Sequence, residues 1–382
     1  MKVRLGDYIE EYSVRNKKGE DIPVYSVTNT QGFCKDYFGK EVASKDKTTY
    51  KIVPRGCFAF NPSRINVGSV DWQRNEERVI VSPLYNVFSV SEQLDQQYLY
   101  YYLKSDFALQ RIRAVATGSV RDNLKLAMLY EFPIELPEIT EQRIIVDKLD
   151  RVKQIISLRE KEVQALDDLI KARFVEMFGD PVANPKGWET YQLNDCLKWI
   201  DNGKSFVCSD KPRGGDYPAV LKLSAATYGD YRPKENKALL DENQFVEGAE
   251  VHAGDLLFTR KNTPELVGMA AYVHETPERL MMPDLIFRLV TNDRMNPVFL
   301  WQLINCKEFR PIIQGISGGS AKSMSNISKE RLGRINVICP PRQIQDQLVP
   351  FAHQVDKSKA VIQKSLDETQ LLFDSLMQKY FG

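Results

Sequence analysis

No run of about 18 apolar residues occurs in the chain, which excludes a membrane-spanning helix. No C-x-x-C pair occurs either. The six cysteines (Cys34, Cys57, Cys196, Cys208, Cys306 and Cys339) are scattered, which argues against a disulfide framework or a zinc site and for reduced thiols. Only three histidines are present, His252, His274 and His353, with no H-x-x-x-H spacing, so structural roles are expected and no metal site. Net charge is nearly absent: 52 Lys+Arg against 51 Asp+Glu leaves +1. A uniformly basic surface is excluded, and contact with nucleic acid would have to come from local patches. The opening MKVRLGDYIEEY carries no apolar signal core, so a cytoplasmic protein is expected.

Catalytic signatures are missing as well. There is no GxxxxGK[ST] phosphate loop and no triad built on a histidine. Pro283-Asp284 is not followed by the Asp/Glu-x-Lys of a restriction-type nuclease. The stretch FNPSRINVGSV (60–70) places Asn61-Pro62 after an aromatic, as in the loop with which amino-methyltransferases hold a base. Ser63-Arg64 then stand where proline and an aromatic are needed, and no G-x-G loop follows a strand. A binding protein is the better reading, with no cofactor in this chain.

What the sequence does have is a duplication over its 382 residues. LPEITEQRIIVDKLDRVKQIISLREKEVQALDDLIKARFVEMFG (136–179) matches the closing CPPRQIQDQLVPFAHQVDKSKAVIQKSLDETQLLFDSLMQKYFG (339–382) without gaps at an offset of 203. Pro137 falls on Pro340, Gln142 on Gln345, and Phe178-Gly179 on Phe381-Gly382. Upstream, YEFPIELP matches GRINVICP, and VPRGCFAFNPSR lies over VHAGDLLFTRKN. Each half is thus a variable head followed by a long helix. The boundaries are a first head at 1–136, a helix at 137–179, a second head at 180–339 and a helix at 340–382.

In the helices apolar residues alternate at spacings of 4 and 3. The seam runs through Leu149, Val152, Ile156, Val163, Leu166 and Ile170 in the first copy, and Val355, Ile362, Leu366 and Phe373 in the second. Arg159, Arg173, Lys359 and Thr369 interrupt it. At about 1.5 Å per residue each helix spans about 60 Å. A seam of that length needs a partner, and the other copy supplies one. The expected fold is α+β: two similar heads joined by two long antiparallel helices in an intramolecular coiled coil, with pseudo-two-fold internal repeat. Pro350 predicts a kink or a late start in the second helix. Apolar residues off the seam, Ile144, Ile155, Leu169 and Phe174, offer a docking surface. GDPVANPKGWE (179–189) reads as a linker.

The heads are rich in short Val/Ile/Phe/Tyr runs bounded by Gly, Pro and Asn, which read as strands. Segments 94–115 and 297–315 read as helices. Basic and polar residues gather in equivalent loops of both heads. They are Asn61, Ser63, Arg64, Asn66, Arg111, Arg113, Thr117, Ser119, Arg121, Asn123 and Lys125 in the first, and Lys222, Arg260, Lys261, Asn262, Ser317, Ser320, Lys322 and Ser325 in the second. Such loops suit DNA: glycine lets backbone N–H groups approach phosphates, and Arg and Asn reach base edges.

Two variable heads, two similar helices, Pro-x-x-x-x-Gln opening each helix, Phe-Gly ending each, and NPKGWE leading into the second head together resemble the specificity subunit of type I restriction–modification systems. The resemblance covers essentially the whole chain. It implies that each head is a target-recognition domain reading one half of a bipartite double-stranded DNA sequence. It implies two modification subunits that bind S-adenosylmethionine and methylate adenine, and a motor-nuclease restriction subunit that uses ATP and magnesium. The near-zero net charge departs from a strong stand-alone DNA binder. Alternatives from other classes are a coiled-coil scaffold that reads no DNA, and a DNA-modifying enzyme whose site leaves no local signature.

Overall fold

A computed structural model describes residues 2–35, 46–116, 123–318 and 324–382. The chain divides into two compact units, one comprising residues up to Glu160 with Lys364–Gly382, the other Lys161–Gln363. Both are α+β.

The duplication reappears as a shared topology. In the first unit a four-stranded antiparallel sheet runs in the order Ile9–Glu11, Asn86–Val90, Phe58–Phe60, Val70–Trp72. In the second the order is Leu197–Asn202, Ile286–Thr291, Leu256–Thr259, Ala270–Tyr272. A two-strand pair closes each head by joining its first and last segments: Lys2–Arg4 with Pro133–Glu135, and Thr190–Gln192 with Asn336–Ile338. The matches between YEFPIELP and GRINVICP are these closing strands. The heads differ at the periphery. The second pairs Ala219–Leu221 antiparallel with Asn236–Ala238 and parallel with Leu280–Met281, where the first has one parallel bridge, Val24 with Ile80, and two antiparallel pairs, Ser26–Thr28 with Gly32–Cys34 and Lys51–Pro54 with Arg78–Val81.

The segment expected as one helix over 94–115 is two, Gln96–Lys104 and Asp106–Val115. Ser105 divides them. Its hydroxyl donates to Tyr102 O at 2.7 Å and accepts from Ala108 N at 3.2 Å, ending one helix and capping the next. The second head likewise has Pro297–Asn305 and Arg310–Gly315.

The long helices run Ile139–Phe178 and Leu348–Phe381. The second starts late, as Pro350 suggests. A short helix, Arg342–Asp346, precedes it, and Pro350 then sits in the first turn, where its missing N–H has no intrahelical partner to lose. Within the first unit the beginning of one helix meets the end of the other: Ile145 and Leu149 share a core with Phe381, packed by Phe373, Leu376 and Tyr380. Within the second unit Phe174 and Phe178 share a core with Leu348 and Ala352. The pairing is antiparallel in both.

Leu149, Ile170 and Val355 are buried, and Val152, Ile156, Val163, Leu166, Ile362, Leu366 and Phe373 are half-buried. The polar interruptions meet partners. The Arg159 guanidinium donates to Ser365 O at 2.6 Å and to the Thr369 hydroxyl. Lys359 pairs with Asp167 at 2.5 Å, and Arg173 lies 5.9 Å from the Phe351 ring centre. Polar seam pairs of this kind specify register at some cost in stability.

The two recurrent sequence motifs are where head and helix lock. Gln142 and Gln345 are both fully buried. Gln142 accepts from Asp95 N at 2.8 Å and donates to Gln93 O and Pro137 O, both at 2.9 Å. Gln345 accepts from Asn296 N at 2.8 Å and donates to Arg294 O at 2.9 Å and Pro340 O at 2.6 Å. Each amide thus ties the long helix's start to the loop that caps a helix of its head, Gln96–Lys104 in the first and Pro297–Asn305 in the second. The Phe-Gly ends act similarly. Phe381 packs on Tyr98 with ring centres 5.0 Å apart, and Phe178 on Phe299 at 4.7 Å. Burying such a ring contributes about 1.5–3 kcal/mol.

One expectation is corrected. Phe174 is not available for docking: it is 1% exposed, held between Phe178 and Phe299. The linker expected over 179–189 is held against the helix it leaves. Trp188 Nε1 donates to Phe178 O at 2.9 Å, and Lys186 Nζ donates to Glu176 O and Met177 O, both at 2.8 Å, so it caps the end of the first long helix.

Candidate nucleic-acid interface

In both heads the polar-basic loop leaves the end of a core strand and turns back at a left-handed glycine. The first follows Phe58–Phe60 and turns at Gly68, with φ +88°. The second follows Leu256–Thr259 and turns at Gly268, with φ +73°. A side chain at Gly268 would be strained by that φ and would strike Ile313, Ile327 and Phe258. Gly268→Ala is therefore expected to destabilise the chain by about 2 kcal/mol or more, read as a lowered denaturant midpoint. An unchanged midpoint would contradict this packing.

Each loop is joined to the segment that follows the Gly-Ser stretch of its own head. Leu124 N donates to Pro62 O at 3.1 Å, and Ile327 N donates to Arg260 O at 2.8 Å. Leu124 and Ile327 are related by the 203 offset, and both are fully buried. In the second head Lys261–Asn262 pairs with Ser325–Asn326, and Gly318 and Asn326 exchange backbone bonds. Two loops far apart in sequence thus form one surface in each head.

The candidate residues divide by environment. Arg64, Asn123 and Lys125 are exposed in the first head, and Lys261 in the second. Asn66, Ser317 and Ser325 are half-buried. Asn61 and Ser63 form a local turn in which Ser63 N and Oγ donate to Asn61 Oδ1 at 3.2 and 3.0 Å. Arg113 is exposed, but its Nε donates to Asn66 O at 3.1 Å and so also holds the loop. Arg260 lies 5.1 Å from the Phe287 ring centre, and its Nη2 donates to Asn326 Oδ1 at 3.3 Å.

Three candidates are placed otherwise than expected. Asn262 is 8% exposed and its amide is already paired, Nδ2 to Thr227 Oγ1 at 3.1 Å and Oδ1 from Thr263 N at 2.8 Å, so it builds the loop from inside. Arg111 stacks over Phe132 at 5.4 Å. Two residues from Arg113 on a helix, it points about 200° away from the loop. Lys222 pairs with Glu235 at 3.7 Å. Thr117, Ser119, Arg121, Ser320 and Lys322 lie outside the described residues.

Several supports of these loops were missed from the sequence. Lys104 Nζ donates to Gly68 O and to Asn29 O at 3.0 Å. Arg310 donates to Gly268 O at 2.6 Å and Val267 O at 2.5 Å. Gln314 donates to Glu265 O at 3.1 Å, as Arg113 does to Asn66 O. The offset of 201 that aligns the preceding helices places Gln314 on Arg113, so the repeat held that signal. Burial lowers the Lys104 ammonium to about 8, with nearby Lys153 adding and Asp71 opposing, and burial lowers Arg310 to about 10.

No group of three or more His, Cys, Asp or Glu is placed to hold a metal among the described residues. The histidines are closer in space than in sequence: His274 pairs with Asp356 at 2.5 Å, with the His353 ring 5.6 Å away. No helix among the described residues is long and apolar enough to cross a membrane.

A family model described as the type I restriction modification DNA specificity domain matches the chain twice, over residues 3–167 and 185–370. The chain is 29% identical over 242 residues to the type I restriction enzyme EcoEI specificity subunit of Escherichia coli, a match covering 62% of this chain but only 39% of that protein. It is 23% identical to the EcoKI specificity subunit of Escherichia coli K12, covering 98% of this chain and 84% of that one. Among solved structures, the type I restriction-modification S subunit from M. genitalium aligns with TM-score 0.56 and 15% identity over 100% of this chain and 96% of that one. A chain from a study of assembly and conformational transition in a type I system aligns with TM-score 0.55 and 19% identity, over 100% and 97%. These likenesses to solved structures concern the fold.

Proposed function

The chain belongs to the type I restriction modification DNA specificity family, and on that premise we propose that it reads a bipartite double-stranded DNA target, one half-site per head. The first target-recognition domain is 1–136 and the second 180–339, with 137–179 and 340–382 as spacers. The observation that carries this is the surface built in each head from two distant loops, tied by Leu124 N to Pro62 O and by Ile327 N to Arg260 O. The exposed Arg64, Asn123 and Lys125 face the first half-site and Lys261 the second, with Asn66, Ser317 and Ser325 beside them. Thr117, Ser119, Arg121, Ser320 and Lys322, outside the described residues, are proposed as further contacts on sequence grounds alone. Arg113, Asn61 and Asn262 shape the loops.

The long helices fix the separation of the half-sites and dock two modification subunits. Apolar residues exposed on them support this: Ile144, Ile155, Leu158, Leu169 and Val175 on the first, and Val361, Leu371 and Leu372 on the second. S-adenosylmethionine, ATP and magnesium would belong to the modification and restriction subunits, and the assembly would act in the cytoplasm. With near-zero net charge, affinity draws on those partners as well.

Arg64→Ala tests the division of labour. With the modification subunit present, discrimination at one half-site is expected to fall by about 1–3 kcal/mol per lost base contact while the other half-site is unaffected. Equal relaxation of both half-sites would exclude one reader per head.

A further inference from the structure

We infer that Lys104 and Arg310 are positioning residues for half-site reading: each is a half-buried cation that fixes the glycine turn of its own head's polar-basic loop and so sets which bases that head accepts. The inference rests on the bipartite reading above and assigns part of the specificity to residues that touch no DNA.

The bonds are specific. Arg310 spends both terminal nitrogens on consecutive carbonyls, Gly268 O and Val267 O. Lys104 reaches Gly68 O together with both oxygens of Asn29. Both target carbonyls belong to left-handed glycines. A carbonyl drawn inward by a donor keeps the neighbouring peptide groups in one orientation. Side chains that flank the turn, Asn66 in the first head and Leu266 in the second, then have a fixed origin.

The two clamps do not descend from one ancestral residue. At the 201 offset Lys104 falls on Asn305, which is spent instead on Ala270, donating to its O at 2.8 Å and accepting from its N at 3.0 Å. Arg310 falls on Leu109, an apolar position. Each head thus reaches the same glycine carbonyl with a cation from a different site on its own helices. A common inheritance would place them at matching positions. A common requirement explains the convergence.

The charge itself needs a reason. Neither residue forms an ion pair among the described residues, and withdrawing even part of a cation from water without one is costly. A glutamine or asparagine would satisfy a carbonyl at lower cost, as Gln314 and Asn305 do nearby. A cation just behind the loop adds positive potential on the side where phosphates approach. The same side chain therefore holds the loop and biases it toward DNA.

The test uses the full chain with its modification subunit and a randomised duplex library, scoring each half-site separately. Arg310→Met is expected to reduce discrimination at the second half-site by about tenfold or more and to leave the first unchanged. Lys104→Met is expected to do the reverse. Arg310→Lys, which keeps the charge and one carbonyl bond, is expected to lose about threefold at the second half-site alone, and it serves if the methionine variant does not fold. Because no phosphate contact is removed, the dependence of affinity on salt should change by less than one ion. Variants that leave their own half-site intact, or that blur both equally, would overturn the inference. Failure of the unmodified chain to select any split motif would instead overturn the bipartite reading.

Discussion

Gln345→Met is expected to destabilise the second head by about 3 kcal/mol or more. Methionine nearly matches the volume of glutamine, so little packing is lost. What disappears is the partner of three backbone groups at once: Asn296 N, Arg294 O and Pro340 O. Each buried group left unsatisfied costs about 1–3 kcal/mol. Gln142→Met should act alike in the first head, stranding Asp95 N, Gln93 O and Pro137 O. Gln343, two residues before Gln345, is exposed, and Gln343→Met should stay within about 0.5 kcal/mol. Denaturant unfolding of the full chain separates these cases by midpoint at constant slope. A loss below about 1 kcal/mol at both buried glutamines would mean that water replaces the amide, and that these residues do not hold head to helix.

These glutamines show how far the sequence could be read. Their recurrence at one offset, six residues into each repeat, was plain. Their bonding was not, because it joins Gln142 to a loop about 50 positions earlier, and no local periodicity records such a contact. The seam was legible because it obeys a helical period. Phe174 was misplaced because that period marks only one stripe, whereas the last turns of the first long helix are covered on a second side by Phe299. Strand order in the central sheets could not be derived from either copy alone, yet the two copies agree on it. Among the candidate contacts, residue type and loop position identified Arg64 and Lys261 as exposed, but could not separate them from Asn262, whose amide turns inward to Thr227. Lys104 and Arg310 escaped notice because a half-buried cation bonded to carbonyls looks, in sequence, like any surface cation on a helix.

Removal of one heptad from each long helix, around Glu160–Lys161 and Gln363–Lys364, is the second large effect. Seven residues shorten each helix by about 10 Å. Taking the same length from both keeps the seam in phase, since each unit retains its own pairing: if the cut spans Glu160–Leu166 and Gln363–Thr369, the Asp167–Lys359 pair stays, and the Arg159 bonds to Ser365 O and Thr369 are the contacts given up. A deletion in one helix alone leaves the other unmatched and should abolish assembly with the modification subunit. The paired deletion should instead bring the half-sites closer by about three base pairs, at about 3.4 Å per base pair.

The gap between half-sites therefore tests the account most directly. The unmodified chain and the paired-deletion variant, each with the modification subunit, would be offered the same library of random duplexes. The account predicts that the first selects a split motif with a fixed gap, and that the second selects the same two half-sites about three base pairs closer. The same half-sites at an unchanged gap, or a single contiguous motif from the unmodified chain, would contradict it.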